Sequence, residues 1–203
     1  MDIYLIRHGE TDWNHMKKLQ GTTDIPLNAY GIELAEKTAE GLKDVPFDRI
    51  YTSPLIRARK TAEIIRGDRP IEIIETDGLK EISFGDYEGL CYLPDNYTIP
   101  RPGFRKFFDD PEHYDTPPHG ESLLHLRERT SSFVRSIMND PANENMTFLM
   151  AAHGAAIRGI LSGLQDLPLA EFWSGPVHKN CGVTKLHVEH GKFNIEFENK
   201  LYY

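Results

Sequence analysis

The chain is poor in cysteine. Only Cys91 and Cys181 occur among 203 residues, so no disulfide framework is expected and a reducing, cytoplasmic setting is the default. Long apolar runs are missing too. The apolar start at residues 2–6 is too short for a signal-peptide core, and no run approaches the ~20 residues of a membrane helix. Nor is there an excess of positive charge. Lys+Arg is 23 against Asp+Glu 31, a net charge of −8, which excludes a strongly basic nucleic-acid binder. Any anion site must therefore be locally basic. With 39% apolar and 27% charged residues, collagen-like and disordered classes are excluded as well. Several chemical signatures are also missing. There is no phosphate-loop glycine-lysine motif, no Gly-x-Ser-x-Gly elbow, no Asp-x-Asp and no His-Glu-x-x-His. Neither cysteine has an Arg six residues on, because those positions are Tyr97 and His187. The nine histidines are scattered, and His187 and His190 merely flank a predicted turn, so no metal and no cofactor is expected.

What is present reads as α/β, in a single domain over residues 1–203. Strands are predicted at 3–6, 49–52, 71–75 and 147–151, and helices at 28–43, 121–138 and 155–164. Another helix follows Ser53-Pro54, read as its N-cap and first turn. Helix 28–43 is expected to bury Ile32, Ala35, Ala39 and Leu42. Residues 183–189 and 193–198 alternate around His190-Gly191 as a hairpin. Strands alternating with helices predict a three-layer α/β/α sandwich with a mostly parallel central sheet. Residues 84–120, rich in Pro, Gly, Asp and Tyr, show little periodicity and read as a small cap insertion.

Three basic elements follow three predicted strands. Arg7-His8-Gly9 follows the first, Arg57 lies in the first helical turn after the second, and His153-Gly154 follows the fourth. Ligands of open parallel sheets sit beyond the strands' carboxyl ends, so these elements can converge there. A cation in a first helical turn opposes the helix dipole and is better tolerated beside an anion. Arg7 and Arg57 can fork phosphate oxygens, and a Gly after each His lets the backbone approach closely.

The order of motifs resembles the histidine phosphatase superfamily, the phosphoglycerate mutase-like proteins. The resemblance is carried by Leu5-Ile-Arg-His-Gly-Glu-Thr11 with Trp13-Asn14, Gln20-Gly-Thr22, and Thr52-Ser-Pro-Leu-Ile-Arg-Ala58. Leu79-Lys-Glu81, Phe84-Gly-Asp-Tyr-Glu-Gly89, Pro118-His-Gly-Glu-Ser122 and Ala152-His-Gly154 continue it. It implies a phosphoglycerate mutase-like fold and a His8 nucleophile that forms a phosphohistidine. It further implies a phosphate pocket of Arg7, Arg57 and His153, and Glu81 as proton donor, a role that needs a raised pKa. Asn14, Gln20, Gly21, Thr22 and Gly154 match positions at the substrate. Glu88 and Glu121 also fall in motifs, where a structural role is as open as a functional one. Ala151, Ala152, Ala155 and Ala156 replace the Ser or Gly common around the second His, and His119 puts an ionisable group near the expected mouth.

The expected function is a phosphomonoesterase acting on a small phosphorylated metabolite, without nucleic acid, membrane or metal, as monomer or homodimer. A phosphoglycerate mutase is the alternative. It is disfavoured because residues 81–105 hold no Lys and only Arg101 and Arg105 as candidates for a second anion. A non-catalytic phospho-ligand binder is the third reading, opposed by the intact His8 and Glu81. The aromatics of residues 84–120 are expected mostly to form the cap's own core.

Overall fold

The computed structural model describes residues 1–93, 96–100 and 102–203. One sheet holds six strands: β1 (Asp2–Arg7), β2 (Arg49–Thr52), β3 (Ile73–Glu75), β4 (Thr147–Ala152), β5 (Val183–Glu189) and β6 (Lys192–Lys200). Their spatial order is β3-β2-β4-β1-β5-β6. The first four run parallel, and β5 and β6 join antiparallel at one edge. The α-helices among the described residues are α1 (Asp12–His15), α2 (Ala29–Gly41), α3 (Ile56–Arg66), α4 (Lys106–Asp109), α5 (Leu123–Met138) and α6 (Gly154–Leu164), with short 3-10 turns between elements.

The central strands are apolar on both faces, as parallel strands covered twice must be. Ile3, Leu5, Phe148 and Met150 pack on one side with Val134 and Ile137 of α5 and Ile157 and Ile160 of α6. Tyr4, Ile6, Leu149 and Ala151 pack on the other with Leu34 of α2 and Ala62 and Ile65 of α3. The result is the predicted three-layer α/β/α sandwich. The hairpin turn is also as predicted, with His190 and Gly191 both at positive φ (50° and 73°).

Several local readings are corrected. β3 begins at Ile73, two residues later than expected. α2 buries Leu34 and Thr38, while Ile32 is only half-buried. Thr38 tolerates the core because its hydroxyl donates to Leu34 O at 2.8 Å. Ser53 is not the N-cap of α3. That helix starts at Ile56, with Leu55 at the cap and no capping side chain of its own. Its first free N–H, on Ile56, donates instead to Asp24 Oδ1 at 2.7 Å. α5 starts at Leu123, capped by Ser122, whose hydroxyl accepts from His125 N. Glu121 lies just outside the helix and pairs in two bonds with Arg129 (3.0 and 2.9 Å).

Between residues 84 and 120 the described residues form short turns, the single turn of α4 and one isolated antiparallel bridge from Cys91 to Lys18. They nevertheless have an apolar cluster of their own. Phe84, Tyr87, Phe104 and Phe107 are buried with Phe172, Leu126 of α5 and Ala155 of α6. Phe104 and Phe107 stack at 5.7 Å. This cluster stands beside the N-terminus of α6, where β4 ends.

Candidate active site

Strand register brings the predicted residues together. Arg7 pairs with Ala152 and Thr52 with Ala151, so His8, Ser53 and His153 leave the sheet on adjoining rungs. His8 N donates to Ala152 O at 3.0 Å, and Ser53 N to Ala151 O at 2.9 Å. The chain after His8 presses on the start of α2. A Cβ at Gly9 would lie 2.4 Å from Gly31 O, and one at Gly31 would lie 2.1 Å from Glu10 O. Only glycine fits at both.

His8 is buried, and its Nδ1–H donates to Gly9 O at 2.6 Å. That bond fixes the neutral tautomer with its lone pair on Nε2. Burial, then the Arg57 and Arg7 charges, hold the imidazole pKa well below its ordinary value. His153 lies fully buried beside it, with ring centroids 5.1 Å apart. Its Nε2 bonds Ser53 Oγ at 2.7 Å, and its Nδ1 has no partner among the described residues. Burial and the same two arginines hold it neutral as well.

The two arginines are anchored by backbone carbonyls. Arg7 donates through one terminal nitrogen to His178 O at 2.5 Å. Arg57, fully buried, donates to Thr23 O at 2.8 Å and Gly21 O at 2.6 Å. These carbonyls answer the sequence puzzle of a cation in the first turn of α3, because they offset its charge locally. Burial brings the Arg57 pKa down to about 10, which leaves it charged at neutral pH. Both guanidinium Nε–H groups are buried without a partner among the described residues. A buried unpaired donor costs roughly 1–3 kcal/mol, a cost an anion's oxygens would relieve.

Glu81 rests on the N-terminus of α6. Its carboxylate accepts from Ala155 N (3.2 Å), Ala156 N (3.0 Å) and Ile82 N (3.0 Å). Burial nonetheless raises its pKa, against those bonds and the Arg57 and Arg7 charges.

Two amides complete the wall. Asn14 Oδ1 lies within bonding distance of Thr11 N and Oγ1, both at 3.2 Å. Gln20 Oε1 accepts from Thr11 Oγ1 at 2.9 Å. Both amide oxygens are thus occupied internally, while neither NH2 group has a partner among the described residues. Gly21 takes φ +53°, and a Cβ there would meet Glu88 Oε1 at 2.0 Å. Glu88 is a structural staple, accepting from Thr22 N and Thr23 N (2.8 Å each), from both their hydroxyls, and from Phe84 N at 3.1 Å.

Arg7, His8, Asn14, Gln20, Gly21, Arg57, Glu81 and Gly154 all line one cavity of about 150 Å³. Thr22 does not, because its N–H and hydroxyl are spent on Glu88. His153 lies beneath the wall. Lys18, Tyr92, Phe108, Trp173 and Val177 also reach the cavity, as do Phe84 and Phe107. The expectation that the cap aromatics serve mostly as core is therefore half the account, since Phe84 and Phe107 do both. Trp173, whose indole N–H donates to Phe107 O, gave no sequence signal. Ser53 as partner of His153, Asp24 as distant cap and the backbone of His178 were missed in the same way.

His119 does not line the cavity; its side chain is 84% exposed and bonds Asp86 at 3.0 Å. Arg105 pairs with Asp109 on the surface and does not line the cavity, and Arg101 lies outside the described residues. Among the described residues, one group could hold a metal: Asp2, His187 and Glu196. Lys185 Nζ already bonds Asp2 at 2.9 Å and Glu196 at 2.8 Å there. No described helix is long and apolar enough to cross a membrane.

The arrangement sets an imidazole, two fixed cations and a carboxyl of raised pKa on one cavity. The family model described as histidine phosphatase superfamily (branch 1) matches residues 3–200. The chain is 41% identical over 160 residues to an uncharacterized phosphatase, PhoE, of Bacillus subtilis (strain 168), covering 79% of this chain and 75% of that one. Among solved structures it is similar to Bacillus stearothermophilus YhfR, at 35% identity and TM-score 0.90, covering 98% and 97% of the two chains. A histidine-to-alanine mutant of an Entamoeba histolytica phosphoserine phosphatase, in complex with phosphoserine, aligns at 32% identity and TM-score 0.83, covering 98% and 96%.

Proposed function

The chain belongs to branch 1 of the histidine phosphatase superfamily, and on that premise we propose that it is a phosphatase that hydrolyses phosphomonoesters of small metabolites through a phosphohistidine on His8. The observation that carries this reading is the Nδ1–H bond from His8 to Gly9 O. It leaves Nε2 as the nucleophilic nitrogen on a cavity wall shared with Arg7 and Arg57.

In the first step the Nε2 lone pair attacks phosphorus and the bond to the ester oxygen breaks. The leaving oxygen takes the proton of Glu81, which gives a free alcohol, a phosphohistidine and a Glu81 carboxylate. Arg7 and Arg57 neutralise charge on the equatorial oxygens. His153 adds a neutral donor through Nδ1–H when Ser53 holds its Nε2 as acceptor. In the second step Glu81 takes a proton from water and the water oxygen attacks phosphorus. The phosphorus–Nε2 bond then breaks, and phosphate and neutral His8 are released.

The composition of the cavity wall supports hydrolysis over phosphoglycerate isomerisation. Beyond the two arginines a single cation, Lys18, lines it among the described residues, short of a basic cluster for a phosphoglycerate carboxylate. The aromatic wall instead suits an apolar or ring-bearing alcohol.

The test compares wild type with His8→Ala on p-nitrophenyl phosphate and 3-phosphoglycerate, with EDTA present. We expect phosphate release that is lost in His8→Ala and indifferent to EDTA. Isomerisation with little release selects the mutase. Loss on EDTA treatment, restored by a divalent ion, overturns the metal-free mechanism.

A further inference from the structure

One residue outside the cavity holds two parts of it in register. The segment 178–182 runs between α6 and β5 and turns through Cys181, a non-glycine residue at φ 54°. It grips the end of β1 at several points. His178 O accepts from the Arg7 guanidinium, Cys181 N donates to Arg7 O at 2.9 Å, and Gly182 O accepts from Arg7 N at 3.2 Å. These bonds are all made by the segment's backbone, which leaves them indifferent to its side chains.

Asn180 is the exception. Its side-chain Nδ2 carries two hydrogens and has two acceptors: His8 O at 3.0 Å and Asn14 Oδ1 at 3.3 Å. Asn180 is absent from the cavity wall, so it acts on substrate only through those partners. Its backbone carbonyl is held in turn by the Tyr203 hydroxyl at 2.8 Å.

The consequence is geometric. An amide can present either end to a ligand, and the two ends differ in sign of charge. Asn14 Oδ1 faces Thr11 N, Thr11 Oγ1 and Asn180 Nδ2. The Thr11 hydroxyl has one hydrogen, and Gln20 Oε1 is its nearer acceptor at 2.9 Å. Thr11 N and Asn180 Nδ2 therefore decide which way the Asn14 amide points. Reversed, Asn14 would turn a carbonyl oxygen toward an anionic phosphoryl group.

We propose that Asn180 is a positioning residue for the phosphoryl group: by bonding His8 O and Asn14 Oδ1 together, it orients the Asn14 amide with its NH2 toward the cavity. The inference rests on the phosphatase reading above. No local sequence feature marks the position, because the partners lie 166 and 172 residues away.

The test is a double-mutant cycle of Asn14→Ala and Asn180→Ala. It is read by kcat/KM for p-nitrophenyl phosphate and, separately, by the affinity for inorganic phosphate measured calorimetrically. Asn180→Asp accompanies it, because that change keeps the size and removes the donor. Loss of one such bond is worth about fivefold to tenfold. We expect both Asn180 variants to lose that much in kcat/KM and in phosphate affinity when Asn14 is present. When Asn14 is Ala, removing Asn180 should cost under twofold more. Multiplicative losses in the two backgrounds, or no loss from either single Asn180 variant, overturn the proposal. A variant that fails to fold is replaced by Asn180→Asp in the same cycle. Wild type that neither hydrolyses the ester nor binds phosphate overturns the phosphatase reading, and this inference with it. Active wild type with multiplicative losses overturns the inference alone.

Discussion

Glu81 is pulled in two directions. Three backbone N–H groups and two arginines favour its carboxylate, while burial favours the neutral acid, and burial prevails. The raised pKa keeps a proton available at higher pH than an exposed glutamate would. That proton matters only when the departing oxygen needs it. A p-nitrophenolate leaves without one, whereas an alkoxide does not. Because kcat/KM reports the steps through phosphorylation of His8, it isolates Glu81's role as acid from its later role as base. Glu81→Ala should therefore lower kcat/KM for an alkyl phosphate by about 10²–10⁴ and for p-nitrophenyl phosphate by far less. Steady-state kinetics on the two esters checks this. Equal losses would assign Glu81 to structure, as a clamp on the start of α6, and not to proton transfer.

At the scale of elements, the first turn of α3 depends on a residue 32 positions earlier. Ile56 N donates to Asp24 Oδ1, and Asp24 belongs to the same loop whose Gly21 and Thr23 carbonyls hold Arg57. Loop and helix thus fix each other, and the cation is aimed by both. Asp24→Ala should cost about 1 kcal/mol, in the range of a lost helix cap, and lower kcat/KM several-fold. Asp24→Asn should retain most of both. Denaturant midpoints alongside kinetics decide it, and unchanged stability in Asp24→Ala would leave the helix end uncapped without consequence. This cap also marks where the sequence stopped being informative. Ser53-Pro54 obeys the local rule for a helix start, so the rule placed the cap there. In the fold Ser53 is drawn to His153 instead (2.7 Å). Arg7, His8, Arg57 and His153 could be located from sequence because each follows or begins an element whose pattern is itself local, whereas Glu81 was marked by the family resemblance alone. The sandwich was readable for the same reason, from apolar strands alternating with amphipathic helices. Asn180, Trp173 and Asp24 act through contacts between distant segments, which leave no periodicity or spacing to detect. Thr22, which the resemblance sets in the same loop as Gln20 and Gly21, bonds Glu88 through its N–H and hydroxyl and does not line the cavity.

At the scale of the whole molecule, the site makes the fold sensitive to acid. His8, His153 and His178 are all buried, and burial heads the causes that hold each below its ordinary pKa. For His178 the value is about 3, with the Arg158 and Arg7 charges adding to burial. An unfolded histidine takes its proton near pH 6.5, whereas folded His178 resists it down to about 3. Between those values the unfolded state binds more protons, so stability falls as pH falls. It is fully present above about 6.5. The slope for this one residue is about 1.4 kcal/mol per pH unit, or roughly 3–5 °C in Tm for a chain of this size. His8 and His153 act in the same direction and Glu81, with its raised pKa, in the opposite one, so wild type alone cannot isolate the effect. His178→Gln can, because its backbone carbonyl still accepts from Arg7 and every other titrating group is kept. Melting curves at half-unit steps from pH 7.5 to 5 should show the wild-type Tm falling more steeply than that of His178→Gln. The two lines should converge or cross as the wild type loses its advantage. Parallel lines would mean that the imidazole takes up its proton in place, and that the pocket behind Arg7 is wetter or more yielding than its packing implies.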